Sequence, residues 1–253
     1  MTAIEPKIHW IELDTIDSTN KYAMELIRDK KARNGMVVFS AHQTAGKGQR
    51  GKTWKDEAGE SLSCSFIIEP GVYGLKNHFH LIAITASAIR KVVEATIRIP
   101  VHIKWPNDIY VGDQKAGGIL IEAVTRGKDW KYAVIGFGIN VNQKLFDETL
   151  PNPVSLRQLT GKNYDIKRLA EDCLNILLKE LSQRNYTATL NLYSKHLYKL
   201  HQTVSLNTNS GIITDILKGV TEEGLLMIGE QTLRVFEPGE VQWILHPPSF
   251  SAS

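Results

Sequence analysis

The sequence predicts an α+β protein in two parts, residues 1–200 and 201–253. Two observations carry this. From Asn77 to Ile97, apolar residues recur at three- and four-residue steps (Phe79, Ile82, Ala83, Ala86, Ile89, Val93, Ile97), the pattern of an amphipathic helix, and β-like segments lie on both sides of it. From about Thr203 the character changes to five short β-like pieces, "TVSLN", "GIITDILKGV", "GLLMIG", "TLRVF" and "VQWIL", separated by Gly, Asn and Glu turns, the composition of a small barrel.

The remaining elements follow in order. "IHWIEL" reads as a short strand. "DSTNKYAMELIRD" offers Asp17, Ser18 and Thr19 as helix caps, with Ala23, Leu26 and Ile27 on one helical face behind them. "MVVFSAH" and "SLSCSFIIE" are rich in β-branched and aromatic residues and read as strands flanking a glycine-rich loop. "VHIKW", "IYVGDQKAGGILIEAV" with a Gly112-Asp113 turn, and "KYAVIGFGIN" read as three β-like segments, followed by helices over 166–182 and 187–199.

Bulk composition narrows the function. The 253 residues are 42% hydrophobic and 23% charged, enough for a substantial core. The net charge of +3 is spread along the chain without a basic block, so nothing points to a nucleic-acid partner. Cys64 and Cys173 stand in apolar segments and form no C-x-x-C pair, which argues against a disulfide framework or a zinc cluster and for a reducing cytoplasm. The N-terminus "MTAIEPKIHW" has no signal-peptide pattern, and no run of 18 apolar residues suggests a membrane span. His78 and His80 lack a carboxylate or cysteine at ligand spacing and read as the start of a helix.

"QTAGKGQRGKTW" places Gly46, Gly48 and Gly51 in the spacing of a dinucleotide-binding turn. That turn needs a helix opening directly after the glycines, and "KTWKDEAGE" is polar with no apolar stripe. Two readings remain open: a solvated basic hairpin, or a loop whose backbone N–H groups and cations Lys47, Arg50 and Lys52 wrap a carboxylate or phosphate. In "KWPNDIYVGDQKAGGILIE", Pro106 makes the chain extend or turn where Asn107 and Asp108 are presented, and Lys115 leads into Gly117 and Gly118, where a ligand could approach the backbone. "GFGIN" ends a strand in small residues and Asn140, with Asn142 just beyond, suited to a purine edge or to a plain turn.

Taken in order, "DSTN", "QTAGKGQRGKTW", "KWPNDIYVGDQKAGGILIE" and "GFGINVN", followed by a β-rich end, closely resemble biotin protein ligase, also called biotin–[acetyl-CoA-carboxylase] ligase. The resemblance implies a mixed sheet flanked by helices like the class II aminoacyl-tRNA synthetase core, with a C-terminal SH3-like barrel from about residue 201. It implies that biotin and ATP form biotinyl-5′-AMP and pyrophosphate, and that the biotinyl group then passes to a lysine of a biotin carboxyl carrier protein or domain of a carboxylase. Ser18, Thr19, Asn20 and Gln43 match the biotin pocket, as do Gly46, Lys47 and the backbone at Gly117 and Gly118. Lys47, Gln49, Arg50 and Lys52 match the loop over the adenylate, and Trp54 a position packing over adenine or anchoring the loop. Lys47 and Gln49 stand where arginines are frequent in that family, so one cation is missing and one bidentate fork is replaced by an ammonium. Lys115 matches the catalytic lysine, with Arg50 and Asp108 as partners; Asp108 could order Lys115, assist Mg²⁺ or accept a proton. Lys104 and Asn107 match neighbours of that site, and Asn140 and Asn142 the adenine side. Mg²⁺ is expected with ATP, without a protein cage to hold it.

Some relatives carry a helix-turn-helix domain ahead of this region. Here only about sixteen residues precede "DSTN", too few for a three-helix domain, so DNA binding is not expected. A homodimer through an exposed edge strand stays open. Two alternatives remain: a lipoate or octanoate ligase on the related fold, which "GKGQRG" and "KWPND" together argue against, and a biotin-binding sensor without transfer activity.

Overall fold

The computed structural model describes residues 7–245 apart from 56, 74, 76, 77 and 128. The first six residues of the N-terminus, the expected helix start at Asn77, and the tail 246–253 assigned to the C-terminal part lie outside the described residues. The chain runs β1 (His9–Ile16), α1 (Thr19–Arg28), β2 (Met36–Gln43), a small hairpin of β3 (Gly46–Lys47) and β4 (Thr53–Trp54), β5 (Ser61–Ile68), α2 (His78–Ile97), β6 (Val101–Lys104), β7 (Asp108–Val111), β8 (Gln114–Arg126) and β9 (Asp129–Asn140). Then follow α3 (Leu156–Thr160), α4 (Ile166–Gln183), α5 (Tyr186–Lys195), β10 (Thr203–Thr208), β11 (Gly211–Val220), β12 (Leu226–Ile228), β13 (Arg234–Phe236) and β14 (Val241–Trp243).

Seven strands form a mixed sheet in the order β1-β2-β5-β9-β8-β7-β6. β1 and β2 are parallel because α1 crosses between them, and the other pairs are antiparallel. Ser18 caps α1, accepting from Lys21 N, as its place in "DSTN" predicts. The two-residue strand period divides the sheet into unlike faces. Leu62, Cys64, Phe66 and Ile68 of β5 join the main core with α2 and α4, whereas Ile67, Val38 and Val134 pack under Ala23 of α1.

α2 differs from its expected one-sided stripe. Leu81, Ile84, Ala88 and Val92 are buried as well as the predicted face, because α4 and α5 cover the side away from the sheet. α5 also ends earlier than the expected 199. At His196 and Tyr198 the backbone instead bonds Ile103 of β6, at 2.8 and 2.9 Å, which takes the groups a longer helix would need. Both cysteines are free and buried. Among the described residues, no helix is long and apolar enough to cross a membrane.

The C-terminal strands form a five-stranded antiparallel sheet, β13-β12-β11-β10-β14. Its pairing is that of an open sheet, with β13 and β14 at opposite ends of the order, so among the described residues the closed barrel expected from the sequence is not seen in the ladder. Leu206, Leu217, Leu226 and Ile228 nevertheless belong to the same hydrophobic core as α2, and Trp105 Nε1 donates to Gly224 O at 2.9 Å.

Candidate active site

The site begins as a strip of small residues on the sheet face that α1 covers. In β5, Ser63 and Ser65 alternate with core residues; across the ladder they meet Gly138 and Gly136 of β9, and Gly138 meets Gly118 of β8. The glycines are demanded by what lies above them. A Cβ on Gly136 would stand 2.1 Å from Asn20 Oδ1, and one on Gly138 2.6 Å from the Trp54 ring. Above the strip lies a cavity of about 780 Å³, walled by the start of α1, the β3–β4 hairpin, the β6–β8 region, residues 150–153, and the C-terminal sheet.

At one end, buried hydroxyls and amides form a connected network. Gln43 Oε1 accepts from Thr19 N (2.7 Å) and Thr19 Oγ1 (3.0 Å), while Gln43 Nε2 donates to Ser63 Oγ (3.1 Å). Ser65 Oγ lies 2.7 Å from Thr19 Oγ1 and 2.6 Å from Asn20 Oδ1, and Asn20 Nδ2 donates to the Glu122 carboxylate at 2.8 Å. Ser18, Thr19, Asn20 and Gln43 all line the cavity. Such a network presents donors and acceptors in fixed positions without side-chain reorganisation. Ser65→Ala is expected to cost about 1–3 kcal/mol, because it strips a partner from buried Thr19 and Asn20. A urea titration with an unchanged midpoint would show that the serine does not hold α1 in place.

The charged centre owes its geometry to a bulge. Asp108 pairs with Gly118 and Ile109 with Gly117, but Tyr110 pairs with Lys115, leaving Ala116 as an extra residue in β8. The bulge therefore puts Lys115 on the same face as Asp108 and Gly118, whereas unbroken alternation would turn it with Gly117 toward the core. Lys115 Nζ sits 2.6 Å from Asp108 Oδ1, and Lys104 Nζ 3.7 Å from Asp108 Oδ2. Burial draws the Lys104 ammonium below the usual lysine range, with Asp108 opposing that shift. Lys104 also lies over the rings of Tyr110 and Trp243, 5.4 and 5.5 Å from their centroids. Asn107 Nδ2 donates to Ile119 O, and Asn140 Nδ2 to Lys115 O and Val154 O, fixing the backbone on either side of Lys115. Lys104, Asn107, Asp108, Lys115, Gly118 and Asn140 line the cavity.

The glycine-rich loop is a hairpin, Gly46 opposite Trp54 and Lys47 opposite Thr53, with a 3₁₀ turn at Gln49–Gly51. Its basic residues are exposed, as in a solvated hairpin, yet Lys47, Gln49, Arg50, Lys52 and Trp54 line the cavity. Three positions named from the sequence are not in that lining. Gly46 is pressed between Trp54 O and Gln43 Nε2, Gly117 faces away toward Ile109, and Asn142 braces the backbone of Tyr164 with two 2.9 Å hydrogen bonds. Sequence reasoning missed Ser63, Ser65 and the contribution of Trp243, and took Gly136 and Gly138 only as the small residues of "GFGIN". For the serines, the alternation S-L-S-C-S-F was the available signal.

Residues 12–140 match the model of the Biotin/lipoate A/B protein ligase family. The chain belongs to this family. Among members, the bifunctional ligase/repressor BirA of Escherichia coli (strain K12) is 30% identical over 224 residues, 85% of this chain and 68% of that protein. The biotin--[acetyl-CoA-carboxylase] ligase of Mycobacterium tuberculosis is 28% identical over 181 residues, covering 69% and 64% of the two chains. The solved biotin protein ligase from Aquifex aeolicus in complex with biotin and ATP superposes with a TM-score of 0.80 at 25% identity, over 94% of this chain and 99% of that one.

Proposed function

We propose that the chain is an ATP-dependent biotin ligase that forms biotinyl-5′-AMP and passes the biotinyl group to a lysine of a carboxylase's biotin carboxyl carrier domain. The observation that carries this reading is the meeting, in one cavity, of the Thr19–Gln43–Ser63 network, the Lys115–Asp108–Lys104 cluster and the cationic hairpin. The network suits a ureido ring, which offers both donors and acceptors; the dithiolane of lipoate offers neither an N–H nor a carbonyl to it.

In the first step the biotin carboxylate oxygen attacks the α-phosphorus of ATP and the bond to the β-phosphate oxygen breaks, releasing pyrophosphate. Two anions must approach, so Lys115, with Lys47 and Arg50 lining the same cavity, offsets their repulsion. Asp108 orients the Lys115 ammonium, consistent with their 2.6 Å contact. In the second step the acceptor amine attacks the acyl carbon, AMP leaves with its oxygen, and the amine proton passes to Asp108 or solvent. Trp54 and Asn140 flank the space for the adenine side. Asp108 is taken up by two lysines, and among the described residues no group of three metal-binding side chains exists, so the residues present do not fit a protein-held Mg²⁺. A divalent ion would arrive on the ATP phosphates.

We also read residues 201–253 as an SH3-like module. β11 pairs with β10 through its first part and with β12 through its last, bending at a bulge between Leu217 and Gly219, as a small-barrel strand does in moving between sheets.

Pyrophosphate release with ATP, Mg²⁺ and either biotin or lipoate tests the substrate. Release with biotin, followed by labelled-biotin transfer to a carrier domain, is expected. Release with lipoate alone would overturn the proposal, and binding without transfer would favour a sensor.

A further inference from the structure

The hairpin tip meets the C-terminal sheet at the turn between β13 and β14. This turn is tied at both ends: Glu240 N donates to Glu237 O at 3.1 Å, and the Glu240 carboxylate accepts from Glu237 N at 2.7 Å. Within it Gly239 has φ +94°, and the space its side chain would occupy is filled by the Arg50 guanidinium. A Cβ on Gly239 would stand 1.0 Å from Arg50 Nη1 and 1.4 Å from Cζ. Arg50 is itself at φ 55°, a left-handed conformation uncommon for a non-glycine residue, whereas Gly239 adopts its positive φ without steric cost. Just beyond β4, Lys55 is ion-paired with Asp147 in the segment after β9. The hairpin is thus anchored at two points, its tip on the C-terminal turn and its base on a loop of the main sheet, with the cavity beneath.

We infer that Gly239 is a positioning residue: it is the seat of the Arg50 guanidinium, and the pair keeps the hairpin shut over the acyl-adenylate until an acceptor amine arrives. The inference rests on the proposed function and adds to it a role for the β13–β14 turn. Only glycine leaves this seat empty at that φ.

The test is a cycle of the full chain, Gly239→Ala, Arg50→Ala and the double variant. Each is loaded with biotin and MgATP, and escape of labelled acyl-adenylate is followed without acceptor. Each single variant is expected to speed escape on the order of tenfold, with the double no faster than the faster single, as for two residues acting through one contact. Wild-type escape in Gly239→Ala, or effects that multiply in the double, would overturn the seat; multiplication is also the outcome if alanine merely damages the sheet. Gly239→Asn separates strain from collision, because asparagine tolerates positive φ better than alanine but still carries a Cβ. It should leak like alanine, and wild-type retention there would sink the inference. A wild-type protein that makes no adenylate at all would instead refute the proposed function.

Discussion

Lys115→Ala is expected to slow acyl-adenylate formation about 100-fold, the scale on which a preorganised charge contact in a transition state is lost. Lys115 stands on the Ala116 bulge beside Asp108, with its side chain 30% exposed, so its removal opens no cavity in the core. Asp108 keeps Lys104 as a partner at 3.7 Å, and no carboxylate is left buried alone. The melting temperature should therefore stay close to that of wild type while turnover falls. Pyrophosphate release under saturating biotin and ATP measures the effect, and near-normal turnover would remove Lys115 from the chemistry.

Gly136→Ala should destabilise the fold by about 3 kcal/mol, at the upper end for overpacking, because the new methyl strikes a polar group that has nowhere else to go. Its Cβ would lie 2.1 Å from Asn20 Oδ1, whose amide is held between Ser65 and Glu122. Relief requires α1 to lift from the sheet, which would also disturb the Thr19–Gln43 contact and raise the KM for biotin. Urea unfolding reads the stability. A loss below about 0.5 kcal/mol, the level of an ordinary surface change, would mean that Asn20 moves aside freely.

Elements with strong local signals were legible. The Ser18 cap, the Gly112-Asp113 turn between β7 and β8, and the 166–182 helix all stand where side-chain spacing put them, since each depends on neighbours in sequence. α3 went unread although Ser155 and Gln158 form a capping box, because five residues are too short to show an apolar period. The site was legible as a set of motifs but not as a surface. Ser63 and Gly138 make sense only once β5 lies beside β9, and the bulge at Ala116 is a property of register rather than of any one residue. The share taken by the C-terminal strands was invisible for the same reason: Trp243 reaches Lys104 across 139 positions of chain, and no local pattern encodes that.

That arrangement has a consequence for how the molecule is made. Val241–Trp243 are synthesised after every strand of the seven-stranded sheet, yet β14 pairs with β10 and its Trp243 closes over Lys104. A nascent chain carrying the whole seven-stranded sheet would still lack one wall of its reaction chamber. Competence arrives with β14, so a polypeptide synthesised only as far as the seven-stranded sheet holds no shelter for a reactive anhydride.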